Sequence, residues 1–165
     1  MPQDHTYRSS LSWSGSTAQG IARYDRTHQV STPPARDRLR LSADPSFRGD
    51  PDLVNPEQLL LAAASSCQLL SFLAVAARAG LTVLAYRDDA EAVMPESAGS
   101  MRIEQILLRP RITVPAGTDE AAVLQAVDDA HDQCYVANTL TATISIRTTV
   151  EPVAEHAGAH SGSGA

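Results

Sequence analysis

Cys67 and Cys134 are the only cysteines in the 165-residue sequence. A thiolate is open to oxidation, and two thiols that meet can form a redox pair. Residue type alone leaves a second reading open, because free cysteine is also among the most buried residue types and packs as a small hydrophobe. All 13 Lys/Arg positions are Arg, which excludes Schiff-base chemistry and lysine-dependent phosphate loops. A zinc site would need His131 and Cys134 joined by His28 and Cys67, but neither a CxxC nor an HExxH spacing occurs, so no metal is expected.

The elements that must position these residues can be read from periodicity. Short alternating stretches at Tyr7 to Ser14, Gly20 to Ser31 and Arg38 to Ala43 predict three N-terminal strands, the last two separated by Pro33-Pro34. Asp44 to Val54 reads as an irregular loop. Asn55 then supplies an N-cap, Pro56 the first helical position and Gln58 the partner three residues on. Leu59 to Ala79 is apolar almost all round and stops at Gly80, which predicts a helix of about 25 residues and roughly 37 Å. Some 19 consecutive positions there carry no formal charge, a span long enough for a membrane. Ser65, Ser66, Gln68, Ser71 and the many alanines favour a buried central helix instead, with Cys67 at its middle. That depth leaves the thiol little help from the helix dipole, so a cation must activate it.

Leu81 to Met94 and Met101 to Val114 predict two strands joined by a turn at Pro95 to Ser100. Thr118 can cap a second helix with Asp119 and Glu120 in its first turn. Val123, Val127, Ala130 and Cys134 share one face of that helix, which directs Cys134 toward the core, where it can meet Cys67. Ala142, Ile144 and Ile146 alternate in a final strand. The expectation is a single α+β domain over residues 1–152, followed by a low-complexity, disordered tail at 153–165.

Composition bounds the function classes. With 43% hydrophobic residues the chain can build a core, and a net charge of -6 disfavours nucleic acid as a partner. Met1 to Ser10 lacks an apolar stretch of the secretory kind, so a cytoplasmic location is expected. A permanent disulfide is out of place in a reducing compartment, which leaves inert core thiols or a redox pair.

The segment NPEQLLLAAASSC, Asn55 to Cys67, resembles the signature of the OsmC/Ohr family of hydroperoxide reductases, with Glu57 ten residues before the cysteine. YDRTHQV at Tyr24 to Val30, ADPSFRGD at Ala43 to Asp50 and AHDQCYVANTL at Ala130 to Leu140 extend the likeness across Trp13 to Pro152. The resemblance implies the OsmC-like order β-β-β-α-β-β-α-β around a long buried central helix, in an intertwined homodimer. It also implies that Cys67 attacks an organic hydroperoxide, Cys134 resolves it, and an arginine held by Glu57 stabilises the thiolate. Arg26, from the first hairpin, is the preferred arginine, and Arg48, in the loop before Glu57, is the alternative. An external dithiol, either a lipoylated protein or a small thiol, would reopen the disulfide, with no cofactor required. Gln68 and Tyr135 depart from the His and Pro that often follow the two cysteines in relatives, which bears on substrate and reductant. The competing expectation is a non-enzymatic dimeric module of the same fold that binds an apolar ligand.

Helix arithmetic adds a constraint. Ten residues on one straight helix place Glu57 and Cys67 about 15 Å apart, so either the helix kinks near Ala64 to Ser66 or the cation comes from a second chain.

Overall fold

A computed structural model of the chain describes residues 4–96 and 101–153. Residues 97–100 of the expected turn and residues 154–165 of the expected tail lie outside the described residues. The chain divides into two compact units inside its long helix, between Leu60 and Leu61.

In the first unit, β1 (Ser10–Ser12), β2 (His28–Ser31) and β3 (Arg38–Leu41) form an antiparallel meander in which Ser10 faces Ser31 and His28 faces Leu41. These strands are shorter than the alternation predicts. Before β2, Gly20 adopts a left-handed conformation and Asp25 accepts the Thr27 N–H, so residues 20–25 turn instead of extending. The loop after β3 folds back through a 3-10 turn at Pro45–Phe47 capped by Asp44. A Cβ on Gly49 would fall 1.6 Å from the Ala43 carbonyl oxygen, so only glycine permits this close approach.

Helix α1 (Pro56–Arg78) starts as expected. Asn55 Oδ1 accepts the Gln58 N–H at 2.8 Å and Gln58 Oε1 accepts the Asn55 N–H at 3.1 Å, a reciprocal capping box. Asn55 is buried and also donates Nδ2 to Asp44 at 3.2 Å, which ties the loop to the helix start. α1 runs without interruption from Pro56 to Arg78.

The second unit holds α2 (Glu120–Asp132) and six short strands: β4 (Ala85–Asp88), β5 (Glu91–Val93), β6 (Gln105–Leu108), β7 (Pro110–Pro115), β8 (Thr143–Ile146) and β9 (Thr149–Val153). Each strand expected beyond α1 is thus a bent pair. The breaks, at residues 89–90, 109 and 147–148, lie side by side across sheets ordered β5-β6-β8 and β4-β7-β9. Pro110 has no N–H to continue the ladder, and the Arg109 N–H is taken by Asp88 Oδ1 at 2.7 Å, which fixes the corner. The central strands β6 and β7 each pair antiparallel on one side and parallel on the other.

Phe72, Val75 and Ala76 of α1 pack with Ile112 and Val114 of β7 and with Val123, Ala126, Val127 and Ala130 of α2. Asp119, not Thr118, caps α2: its carboxylate accepts the Ala121 N–H, while Thr118 bonds back to Pro115. α1 is long and apolar enough to cross a membrane, yet it carries a stripe that serves as core. That stripe is narrow. Only Ala64, Gln68, Phe72, Val75 and Ala76 are buried in the single chain, and Leu70 is 64% exposed, because one helix and one sheet layer cover one side only.

Candidate active site

Cys67 lies on α1, half-buried at the edge of its packed stripe. Cys134 was expected on α2, but that helix stops at Asp132 and Gln133 caps it. The cysteine sits just beyond, with its N–H donated to the His131 carbonyl at 3.1 Å and its own carbonyl accepting the Asn138 N–H at 3.0 Å. It is buried there, at 1% exposure. Both cysteines are free thiols, and Cys67 is near enough to Cys134 to bear on its ionisation.

Their environments differ. Burial pushes the Cys134 thiol above its ordinary value, and the neighbouring Cys67 adds to that, while the nearby backbone N–H groups of Ala137 and Val136 oppose it. Those two N–H groups were not legible in the sequence, since they depend on the 3-10 turn at Ala137–Thr139. At neutral pH Cys134 is held as a protonated thiol.

The remaining predicted residues belong to the first unit. Arg26 donates Nη1 to the Tyr24 carbonyl at 2.9 Å and Nη2 to the Ile21 carbonyl at 2.7 Å, with its guanidinium 4.1 Å from the centre of the Tyr24 ring. Trp13 packs edge-on against that ring and donates to the Asp25 carbonyl, so the loop around Arg26 is stapled from both sides. Glu57, in the first turn of α1, has one carboxylate oxygen, Oε2, sealed from solvent with no hydrogen-bond partner. Among the described residues Arg26 and Glu57 form no ion pair; the pairs found are Arg102–Glu104, Arg109–Glu91 and Arg111–Glu151. Arg48 is exposed and left-handed at the end of the 3-10 turn.

Gln68 is almost fully buried and bonds to the Val127 carbonyl, and Tyr135 is 83% exposed beside Cys134. His28 bonds to the Arg26 carbonyl. Among the described residues no group of three or more His, Cys, Asp or Glu side chains is gathered closely enough to hold a metal ion. Two concavities of about 450 Å³ lie over the sheets, one bordered by Glu91, Arg109 and Arg147 and the other by Tyr86, Arg111 and Glu151, and no cysteine lines either.

The sequence model of the family described as OsmC-like protein matches residues 49–149, a stretch that includes Glu57 and both cysteines. The chain belongs to the OsmC-like family. Its α+β architecture is the OsmC-like fold, as solved structures show. An OsmC-like protein of unknown function from Vibrio cholerae superposes with a TM-score of 0.77 at 22% identity, over 89% of this chain and 99% of that one. An organic hydroperoxide resistance protein OsmC from Legionella pneumophila gives 0.68 at 17% identity, over 91% and 99%. An organic hydroperoxide resistance protein from Elizabethkingia anophelis, solved with thiocyanate bound, gives 0.69 at 19% identity, over 93% and 100%. None of the curated proteins matches the sequence. In this OsmC-like chain the thiol pair falls within the family match, whereas Arg26 precedes it.

Proposed function

We propose that this protein is a cytoplasmic thiol peroxidase that reduces organic hydroperoxides to alcohols. The observation that carries the reading is the neighbouring pair of free thiols, Cys67 half-buried on α1 and Cys134 deep within the fold. Cys67, the more accessible, attacks the peroxide as its thiolate: the terminal peroxide oxygen transfers with its hydrogen to sulfur as a sulfenic acid, the O–O bond breaks, and the departing alkoxide takes a proton from solvent to become the alcohol. Cys134 then attacks the sulfenic sulfur, forming the Cys67–Cys134 disulfide and releasing water. An external dithiol, by two successive exchanges, returns both thiols. The protonated state of Cys134 suits this division of labour, since a buried thiol does not compete for peroxide.

The proposal includes a homodimer. Glu57 carries a sealed carboxylate oxygen without a donor, and α1 leaves leucines exposed along one side. A second copy of the chain meets both needs, covering the helix and completing an Arg26–Glu57 activating pair. No cysteine-lined cavity is among the large concavities of the single chain, so the peroxide pocket also calls for that second copy. Several structural relatives are described as organic hydroperoxide resistance proteins, which supports the substrate class.

The test is steady-state reduction of cumene hydroperoxide by the purified protein with dithiothreitol or dihydrolipoamide, alongside sedimentation equilibrium at low micromolar concentration. Turnover by a dimer is expected. A protein whose thiols stay reduced after peroxide addition would sink the reading in favour of a non-enzymatic module that binds an apolar ligand. A fully active monomer would refute the shared site.

A further inference from the structure

Of the polar side chains around Cys67 on α1, Ser65, two residues before it, and Gln68, immediately after, each bond to another element. Ser65 donates its hydroxyl to Asp88 Oδ2 at the end of β4. The other oxygen of that carboxylate accepts the Arg109 N–H at 2.7 Å, so Asp88 joins the helix to the corner of the bent sheet. Gln68, 1% exposed, donates Nε2 to the Val127 carbonyl of α2 at 3.1 Å, and α2 leads directly into Cys134.

As a contribution to stability alone, Gln68 is a poor choice. Its Oε1 is sealed from solvent without a partner, and a leucine of similar size would occupy the site without that desolvation cost. What a leucine could not do is choose a register. Packing between Ala and Leu side chains is non-directional, so it specifies burial better than it specifies axial position. A slip of one residue along α1 moves a side chain by about 1.5 Å and rotates it by about 100°. Disulfide closure tolerates little of either, since it requires Cα atoms roughly 4.4–6.8 Å apart and aligned Cβ vectors. One bond to β4 and one to α2, placed a single helical turn apart, remove both freedoms at the level of Cys67.

We infer that Ser65 and Gln68 are positioning residues for the thiol pair: they lock α1 to β4 and to α2 so that the Cys67 sulfur is presented to Cys134. The inference rests on the peroxidase reading above, in which those two thiols close and reopen during turnover. It assigns neither residue any contact with the peroxide.

The experiment equilibrates each purified variant in glutathione redox buffers and measures the fraction of Cys67–Cys134 disulfide by mass spectrometry, which yields the effective concentration of one thiol at the other without using peroxide. In parallel, one equivalent of cumene hydroperoxide is added and the ratio of disulfide to Cys67 sulfinic acid is read. Ser65→Ala, which loses a bond to an ionised carboxylate, should lower the effective concentration roughly tenfold, and Gln68→Leu, which loses a neutral bond, roughly fivefold. Both should shift the peroxide product toward sulfinic acid. Ser65→Thr keeps the hydroxyl and should restore the parent value, and Gln68→Leu should lose thiol coupling with its thermal midpoint unchanged or raised. Effective concentrations within twofold of the parent, or losses that merely track the thermal midpoint, would overturn the assignment. If the parent itself forms no Cys67–Cys134 disulfide, the peroxidase reading falls too; if the parent forms it and the variants match, only the positioning role falls.

Discussion

Closing the Cys67–Cys134 disulfide should make the folded protein measurably harder to unfold, by an amount the chain geometry sets. The cysteines are separated by about 67 residues, and a cross-link closing a loop of that size removes denatured-state entropy worth about 4.4 kcal/mol at 25 °C. Strain reduces that ceiling. Cys67 sits within an unbroken helix, where moving its Cα disturbs main-chain bonds, while Cys134 lies in the irregular segment beyond α2 and can adjust more freely. A net gain of about 2–4 kcal/mol is therefore expected, a urea midpoint raised by about 1–2 M for a slope near 2 kcal/mol/M. Circular dichroism of diamide-oxidised and dithiothreitol-reduced protein at equal concentration would measure it, equal concentration being necessary for an associating chain. Cys134→Ser, which cannot close the bond, should show no such difference. An oxidised protein that carries the intramolecular disulfide by mass spectrometry yet unfolds at the same or lower urea concentration would refute the reasoning, because the two thiols would then not be near their bonded geometry in the reduced fold.

Other consequences can be checked with the same material. Cys67→Ser should abolish hydroperoxide reduction, whereas Cys134→Ser should complete one turnover and then accumulate Cys67 sulfinic acid, seen as a mass increase under excess peroxide. If the proposed dimer brings Arg26 to Cys67, Arg26→Ala should slow iodoacetamide alkylation of Cys67 at neutral pH by about tenfold or more, and Arg48→Ala less, since loss of a cation beside a thiolate removes its stabilisation; the reverse ranking would move the activating role to Arg48. Cys134 is held above the ordinary thiol value of 9.0 mainly by burial, so above that pH the unfolded chain ionises there before the folded one does. The unfolded state then binds fewer protons than the folded, and stability falls as pH rises. Urea unfolding of the reduced protein between pH 8 and pH 10 should show this loss, and Cys134→Ala should lack its share of it.

Residue types and local patterns determined much of this protein. The capping box at Asn55 and Gln58, the single long helix to Arg78 and the order of strands around two helices are local matters of cap chemistry and periodicity, and they appear as read. The two cysteines, as the only thiols in the chain, were likewise evident, and Cys134 is buried as expected, although beyond α2 and not on its inward face. Tertiary structure decided the rest. That each strand beyond α1 breaks at a common corner depends on Asp88 claiming the Arg109 N–H across 21 residues, an interaction with no local signal. The position of Cys134 past the end of α2 depends on where Gln133 stops the helix, and its raised pKa depends on how deeply the folded chain covers it. Ser65 and Gln68 read in sequence only as polar interruptions of an apolar run. Their partners, Asp88 and Val127, lie 23 and 59 residues away, and long-range pairing of that kind is fixed by packing, which periodicity cannot express.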